Sequence, residues 1–324
     1  MLEDLRPVFG TRQTVLPIHT TGRGGLEASI CNLFSPGDRV VACCNGKFGE
    51  MWAGLAEAYG LVVRRIATDW QRSVSPEHVE AAVREHKAAA VLMTYCDTAN
   101  GVLNDVKAIG RVTTAVGALL LVDGISSLGG VPFQMDEWGV DVAVTASQKC
   151  LMSSPGLAFA VLSERAWAAG KTSRLPRSYW DLAVTRQSVT KPKPEPPGTA
   201  PVHIVLQVVE ALAMMKEEGL DAVFRRHEQM ASRVRSRVGE LGLELQCPDL
   251  GGFSPTVTAI ALPEGVAPKT VRDPLKERGI LTAGGLGQYE PSGFRIGHMG
   301  DIRMTDVDRT LDALAEVLAP LGVR

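Results

Sequence analysis

Short apolar runs, many of them β-branched, alternate with longer helical patterns as far as about residue 170. This alternation is typical of strand–helix–strand units stacked around a largely parallel sheet. The predicted strands are Val15–His19, Arg39–Cys44, Leu61–Ile66, Ala89–Tyr95, Ala118–Asp123, Val140–Ala146 and Leu157–Leu162. The predicted helices between them are Leu26–Leu33, Phe48–Tyr59, Pro76–Glu85 and Val106–Val116. The pattern therefore predicts an α/β fold.

The pattern stops between Lys171 and Pro201, where Lys191–Gly198 is too rich in proline for a helix or a strand. This segment is either a solvated linker or an ordered arm that contributes to a site. Beyond it we predict helices at His203–Glu217, Ala222–Leu241 and Thr305–Leu318. Between the last two helices we predict short strands at Leu243–Gln246, Val257–Leu262 and Phe294–Ile296. We expect a large domain over residues 1–218 and a smaller α+β domain over 219–324.

Composition argues against a nucleic-acid-binding, membrane or secreted protein. The 324 residues carry 34 Lys+Arg against 36 Asp+Glu, a formal charge of −2 that offers no basic surface to nucleic acid or to an anionic membrane. No apolar run approaches the roughly 20 residues of a membrane span. The acidic N-terminus lacks the pattern of a secretory signal, which predicts a cytoplasmic protein. The six cysteines lie mostly in apolar runs without CxxC spacing, so we expect buried thiols and no metal site.

Two of the predicted strands end in polar residues suited to a site. Asp123 closes one apolar run, and Ser147-Gln148-Lys149 follows the next. In doubly wound sheets the ligand binds outside the carboxyl ends of the strands. A lysine there can attack a carbonyl as an amine, and a carboxylate is costly to bury without a cationic partner. The pair therefore suggests pyridoxal phosphate, with Lys149 on its aldehyde and Asp123 on its pyridine nitrogen.

A phosphate-bearing cofactor needs an anion cradle, and Thr20–Ala28 offers one. This glycine-rich segment follows a strand and opens a helix, where free backbone N–H groups and the positive end of the helix dipole favour an anion. A plain tight turn remains an alternative. The spacing does not match a dinucleotide-binding fingerprint.

These segments resemble the class V (fold-type I) pyridoxal-phosphate aminotransferases, in the alanine–glyoxylate and serine–pyruvate group. The resemblance covers essentially the whole chain. Its most specific motif is Ser147-Gln148-Lys149, whose lysine lies 26 residues after Asp123. It implies that Lys149 forms the Schiff base, that Gln148 contacts the phosphate and that Asp123 binds the pyridine nitrogen. It also implies a fold with a mainly parallel seven-stranded sheet covered by helices on both faces.

The resemblance assigns further cofactor contacts. Phe48, in Asn45-Gly46-Lys47-Phe48-Gly49, is implied to stack on the cofactor ring, with Ile125 on the opposite face. Taken by itself, each of these apolar residues could also belong to the core. The Thr98 hydroxyl is implied to lie near the ring oxygen. The phosphate is implied to bind the turn formed by Thr21, Gly22 and Arg23.

Arg295 matches the arginine that binds the substrate carboxylate in this family, a role suited to a planar guanidinium. His298 either touches substrate or is a hydrogen-bonded structural histidine. The chain departs from the family in three ways. Met1 lies near the helix just before the phosphate turn, so we expect the family's N-terminal segment to be absent from this chain. The chain also has Pro196 where the family has a tyrosine that reaches the neighbouring subunit, and Ala99 and Asn100 where hydroxyl residues are usual. Thr199 is then the expected contact with the partner subunit in a homodimer with shared active sites.

The implied reaction is transamination between a small α-amino acid, similar to alanine or serine, and a 2-oxo acid such as glyoxylate or pyruvate. One alternative is a transaminase of the same fold that acts on ureidoglycine or pyridoxamine. Another is a lyase like cysteine desulfurase, although those enzymes carry a histidine where this chain has Gln148. The others are a cofactor-binding dimer with little activity and a nicotinamide-dependent oxidoreductase.

Overall fold

The structure is a computed structural model that describes residues 1–248 and 252–322. Its helices are α1 (Leu2–Phe9), α2 (Gly22–Leu33), α3 (Lys47–Ala58), α4 (Pro76–His86), α5 (Val106–Ala115), α6 (Glu164–Gly170), α7 (Leu182–Thr190), α8 (Val202–Glu218), α9 (Leu220–Glu240), α10 (Pro268–Glu277) and α11 (Met304–Leu318). Its strands are β1 (Leu16–Ile18), β2 (Arg39–Cys44), β3 (Val62–Ala67), β4 (Ala90–Thr94), β5 (Cys96–Asp97), β6 (Val102–Leu103), β7 (Leu119–Asp123), β8 (Val142–Ala146), β9 (Ala158–Leu162), β10 (Glu244–Leu245), β11 (Val257–Ala261), β12 (Ala283–Gly284) and β13 (Gly293–Gly297).

The seven predicted strands of the first half form one sheet, in the order β1-β9-β8-β7-β4-β2-β3. The strands from β8 to β3 run parallel, whereas β9 is antiparallel to both β8 and β1. The central strands are buried along their whole length, as expected for a parallel sheet covered on both faces. The α/β prediction is confirmed.

Helices cover both faces of this sheet. On one face, Val79 of α4, Ile109 of α5 and Val208 of α8 belong to one buried apolar cluster. On the other face, Ile30 of α2 and Trp52 of α3 belong to a second cluster. Because successive strand side chains point to opposite faces, a fully apolar strand supplies both clusters at once.

A second, antiparallel sheet has the order β10-β11-β13-β12. It packs with α9, α10 and α11 around its own apolar core, which begins at Met230 and includes Phe294 and Leu314. Gly219, with φ of 83°, separates α8 from α9. The boundary that we predict between residues 218 and 219 falls on this glycine and stays a prediction.

The segment between Lys171 and Pro201 differs from expectation in one part. Residues 191–201 are irregular and largely exposed, as predicted, but α7 precedes them. Asp181 caps this helix by accepting hydrogen bonds from the backbone N–H groups of Ala183 (2.9 Å) and Val184 (3.1 Å). Only Leu182 and Thr185 of α7 are buried, which is too short an apolar stripe to stand out in the sequence.

Candidate active site

The predicted polar residues meet at the carboxyl end of the large sheet. Asp123 is the last residue of β7, and Gln148 and Lys149 lie in the turn that follows the neighbouring strand β8. Asp123 pairs with Val144 in the register of these two strands. Thr98 follows the strand residues that end at Asp97. The fold therefore brings together the strand ends that the sequence predicts.

Asp123 is a buried carboxylate, and no ion pair of the described residues includes it. One of its oxygens accepts a hydrogen bond from the backbone N–H of Ile125 (2.9 Å). Burial raises the pKa of Asp123 to about 7, with a smaller contribution from the negative charge of Asp97, and the nearby Lys149 acts in the opposite direction. A carboxylate in this setting favours a cationic ligand group.

The glycine-rich turn forms the first turn of α2, which begins at Gly22, four residues before the predicted start. Its glycines allow close packing, since a Cβ at Gly22 would lie 2.4 Å from Cδ1 of Ile125, and one at Gly25 would lie 2.7 Å from Val144. Thr21 is the N-cap residue but makes no side-chain cap hydrogen bond. The first N–H groups of α2 therefore have no side-chain acceptor at this cap, which is the arrangement that binds anions.

The side chain of Asp97 caps α3, although it lies about 50 residues further along the chain. One Asp97 oxygen accepts hydrogen bonds from the backbone N–H groups of Phe48 (2.8 Å) and Gly49 (3.2 Å), and the other accepts from Ala99 (3.0 Å). Phe48 is half-buried in the first turn of α3. It lines an open groove of about 640 Å³ together with Arg23, Lys47 and Leu286.

Arg295 reaches this region from β13 of the second sheet. Its Nε donates to the carbonyl of Gly284 (2.7 Å) and its Nη1 donates to the carbonyl of Thr98 (3.1 Å). Burial lowers the pKa of Arg295, while the negative charge of Asp97 opposes that shift. Two hydrogen bonds thus fix the guanidinium, and its remaining N–H groups are available to a carboxylate.

Two side chains that the sequence reasoning did not assign also belong to this site. The Asp97 side chain caps α3, and the Ser126 hydroxyl lies 2.5 Å from the Thr98 hydroxyl. Asp97 could have been found, because it comes two residues after the predicted apolar strand Ala89–Tyr95. Ser126 gives no comparable signal, since its partner is set by the packing of two loops.

Thr199 and His298 differ in burial. Thr199 is exposed in the irregular segment, and the cavity next to it is lined by Pro197, His19 and Tyr179 rather than by Lys149. Its contact with a partner subunit stays a prediction. His298 is fully buried, its Nδ1 donates to the carbonyl of Pro255 (2.9 Å), and its Nε2 lies 2.9 Å from the Thr258 hydroxyl. Burial lowers the pKa of His298 to about 3, so it is a neutral structural histidine here.

Three further properties concern the described residues as a set. All six cysteines are buried, as predicted. Within residues 1–248 and 252–322, no group of three or more His, Cys, Asp or Glu side chains is arranged to hold a metal ion. No helix in that part of the chain combines the length and the apolar character needed to cross a membrane.

Comparisons with known proteins define the class. The chain superposes with a TM-score of 0.92 on the crystal structure of an alanine–glyoxylate aminotransferase from Nostoc sp., with 32% sequence identity over 98% of this chain and 85% of that one. This likeness gives the chain the fold-type I architecture of the pyridoxal-phosphate aminotransferases, as the sequence predicts. Residues 3–305 match the model of the family "Aminotransferase class-V". The chain belongs to the class-V aminotransferase family and is an aminotransferase.

Two curated relatives are more similar in sequence. A protein named "Soluble hydrogenase, small subunit" from Synechococcus sp. (strain PCC 6716) is 41% identical, over 99% of this chain and 84% of that protein. An L-aspartate–glyoxylate aminotransferase from Paracoccus denitrificans (strain Pd 1222) is 38% identical, over 99% of this chain and 83% of the relative. The resemblance found in the sequence is thus confirmed at the level of the family.

Proposed function

We propose that this aminotransferase uses pyridoxal phosphate to move the amino group of a small α-amino acid, similar to alanine or serine, to a 2-oxo acid such as glyoxylate or pyruvate. The observation that carries the proposal is the position of Asp123 and Lys149 after adjacent parallel strands, at the edge of the sheet where ligands bind. The aminotransferase names of the Nostoc and Paracoccus relatives support it. The hydrogenase name of the Synechococcus relative has no counterpart in the chemistry of these side chains.

Three features of the structure fit this cofactor. The N-terminus of α2 carries no side-chain cap and suits a phosphate. Asp123 is buried with a raised pKa and suits a protonated ring nitrogen. Among the described residues, Oε1 of Gln148 is buried without a hydrogen-bond partner, which a polar ligand would supply. Phe48 and Ile125 are the apolar side chains that we propose for the two ring faces, and Thr98 for the ring oxygen.

When bound, pyridoxal phosphate supplies an electron-withdrawing ring that stabilises negative charge at the substrate α-carbon. The chain supplies the remaining groups. With the cofactor bound, Lys149 would hold it by its Nζ and would move a proton at the substrate α-carbon as general base and acid. Asp123 keeps the ring nitrogen protonated, and Arg295 orients the substrate through its carboxylate. Thr21, Gly22, Arg23 and Gln148 bind the phosphate.

The visible absorption spectrum after reconstitution with pyridoxal phosphate tests this function. We expect the wild type to show a bound-cofactor band that changes when one of alanine, serine, aspartate or ureidoglycine is added. Lys149→Ala loses turnover by about 10³-fold or more, because the general base is gone. Lys276→Ala, an exposed lysine on α10, is the control and keeps wild-type turnover. A wild type that binds no cofactor contradicts the proposal.

We also propose a homodimer in which Thr199 approaches the partner's phosphate. Val202, Leu206 and Val209 form an exposed apolar stripe on α8, with exposures of 63%, 62% and 43%. Residues at this spacing lie on one helix face, and an exposed apolar face of this kind marks interfaces. Thr199 lies three residues before the stripe. We expect Leu206→Arg to sediment as a monomer, whereas Leu281→Arg, at a side chain 81% exposed, stays dimeric. A dimeric Leu206→Arg would place the interface elsewhere.

A further inference from the structure

Asp97 is a fully buried carboxylate to which the proposed reaction gives no role. Its exposure is 0%, and burial raises its pKa. Gly46 leaves the space that it occupies, because a Cβ at position 46 would lie 2.2 Å from the Asp97 carboxyl carbon. Burying a charge is unfavourable unless hydrogen bonds compensate it. The chain keeps this carboxylate buried, and the three backbone N–H groups of Phe48, Gly49 and Ala99 surround it.

Its position relative to α3 differs from that of an ordinary cap. Helices α4, α5, α6 and α7 are capped by the adjacent residues Ser75, Asp105, Ser163 and Asp181. The acceptor for α3 instead comes from the end of the short strand β5, on another part of the chain. A local cap stabilises a helix end, whereas a remote one also fixes where that helix end lies relative to the loop that supplies it.

The turn that follows β5 also contacts Arg295, on the side of the site that we propose for the substrate. Thr98, the residue next to Asp97, accepts a hydrogen bond from Nη1 of Arg295 (3.1 Å). The backbone of Thr98 lies between Asp97 and Ala99, whose N–H returns to the Asp97 carboxylate (3.0 Å). The carboxylate therefore holds this short turn closed, and the negative charge of Asp97 favours the Arg295 cation. One side chain is connected both to Phe48 and to Arg295.

We propose that Asp97 is a positioning residue that aligns Phe48, on the cofactor side, with Arg295, on the substrate side. It does so by fixing the first turn of α3 and the Thr98 carbonyl relative to each other. This inference rests on the proposed roles of Phe48 and Arg295. In this role Asp97 itself does not contact the substrate. Its removal should therefore alter ligand geometry at both ends of the site while the large sheet stays folded.

Asp97→Asn and a matched control test this role. The amide keeps the size of the side chain but removes the charge and one of the two acceptor oxygens. The control is Asp141→Asn, since Asp141 is another buried carboxylate, which accepts hydrogen bonds from Leu120 N–H (3.0 Å) and Ser163 Oγ (2.7 Å) at the opposite end of the strands. Both variants should lower the melting temperature, because both lose charge-assisted hydrogen bonds.

The first readout needs no cofactor. In Asp97→Asn, we expect hydrogen exchange at the Phe48 and Gly49 amides to become at least about tenfold faster, while Asp141→Asn leaves it unchanged. In the reconstituted enzyme, Asp97→Asn should raise both the Kd for pyridoxal phosphate and the KM for the amino acid by about tenfold. A merely structural defect would lower the amount of active enzyme and leave KM at its wild-type value.

Equal behaviour of the Asp97 and Asp141 variants in exchange and in KM would overturn the proposal, as would unchanged exchange at Phe48 and Gly49. If Asp97→Asn does not fold, Asp97→Glu serves instead, because it keeps a charged acceptor but pushes against Gly46. We expect about threefold faster exchange and a raised KM in that variant, and wild-type values for both would overturn the proposal. If wild-type protein binds no pyridoxal phosphate, the proposed function fails, while the exchange experiment still decides whether Asp97 fixes α3.

Discussion

Two helix N-termini lie at the carboxyl end of the large sheet, and the chain treats them differently. At α3, the Asp97 carboxylate accepts hydrogen bonds from Phe48 and Gly49. At α2, the N-cap residue Thr21 provides no side-chain acceptor, and the turn behind it is packed closely through Gly22. Both helices have a backbone dipole, and in both the first N–H groups have no hydrogen-bond acceptor within the helix itself. The protein satisfies one end with its own anion and leaves the other end without a side-chain acceptor.

This difference shows how a site for a charged ligand can be built at acceptable cost to stability. A helix end that is filled internally supports the fold before any ligand arrives. A helix end without a side-chain cap contributes less to the fold, but it can bind a phosphate without displacing a side chain first. The proposed phosphate site is therefore on α2, and the proposed ring-stacking residue, Phe48, is on the helix that is already fixed.

Disrupting the Asp97 cap of α3 should have the largest effect on the free energy of unfolding. Gly46→Ala places a Cβ 2.2 Å from the Asp97 carboxyl carbon, so the carboxylate must leave its N–H donors or the start of α3 must shift. We expect the free energy of unfolding to fall by about 3–5 kcal/mol, from overpacking and from lost hydrogen bonds to a buried charge. Urea unfolding measures this loss. Gly54→Ala, on the open face of the same helix, is the control and should be neutral or slightly stabilising. A similar loss in both variants would mean that α3 tolerates no added methyl group anywhere.

The pH dependence of stability separates Asp123, which takes part in no ion pair of the described residues, from carboxylates that have such partners. Burial raises the pKa of Asp123 to about 7, whereas an unfolded aspartate ionises near pH 4. Between these values the folded state binds more protons than the unfolded state, so this group's contribution to stability decreases as pH rises. Buried His298, with its lowered pKa, acts in the opposite direction over part of this range. The measured quantity is therefore a difference between the wild type and Asp123→Asn.

We expect the free energy of unfolding of cofactor-free wild type, relative to that of Asp123→Asn, to fall by up to about 1.4 kcal/mol per pH unit between pH 5 and 7. Guanidinium unfolding at several pH values measures it. Asp141→Asn compared in the same way is the control, because Asp141 already has an N–H, a hydroxyl and Arg165 nearby. A relative stability that does not change with pH would show that Asp123 is ionised throughout this range.

Adding a charged side-chain cap to α2 should have the smallest effect on the free energy of unfolding. Thr21→Asp gives α2 an internal anion of the kind that α3 already has. We expect the cofactor-free protein to gain about 0.5–1 kcal/mol from the new cap and dipole interaction, and the Kd for pyridoxal phosphate to rise about tenfold through repulsion. Thr21→Asn is the control, since it caps the helix without a charge. If Thr21→Asp binds the cofactor as tightly as the wild type, the phosphate site does not lie on this helix.

Much of this architecture could be predicted from the sequence. A fully buried parallel strand must be apolar along its length, so the seven strands stand out, and polar residues at their carboxyl ends, such as Asp123 and Lys149, indicate the edge that carries the site. The sequence pattern places the start of α2 four residues too far along the chain, because glycines are poor helix formers. In the structure, close packing on Ile125 and Val144 requires these glycines.

What could not be predicted depends on contacts between distant parts of the chain. The cap of α3 joins Phe48 to Asp97, and the guanidinium of Arg295 reaches Thr98 across nearly 200 residues. Neither pairing leaves a periodic signal in the sequence. Helix α7 was missed for a related reason, because its cap and two buried side chains are too few to distinguish it from the proline-rich stretch that follows.

The two carbonyls that hold Arg295 belong to separate parts of the fold. Gly284 lies on β12 of the antiparallel sheet, and Thr98 lies in the turn that joins β5 to β6. Any displacement of the β5–β6 turn against the antiparallel sheet must lengthen one of these hydrogen bonds or rotate the guanidinium. The direction in which Arg295 points therefore depends on how these two parts of the chain are held together, and the carboxylate recognition that we propose for Arg295 would depend on it too.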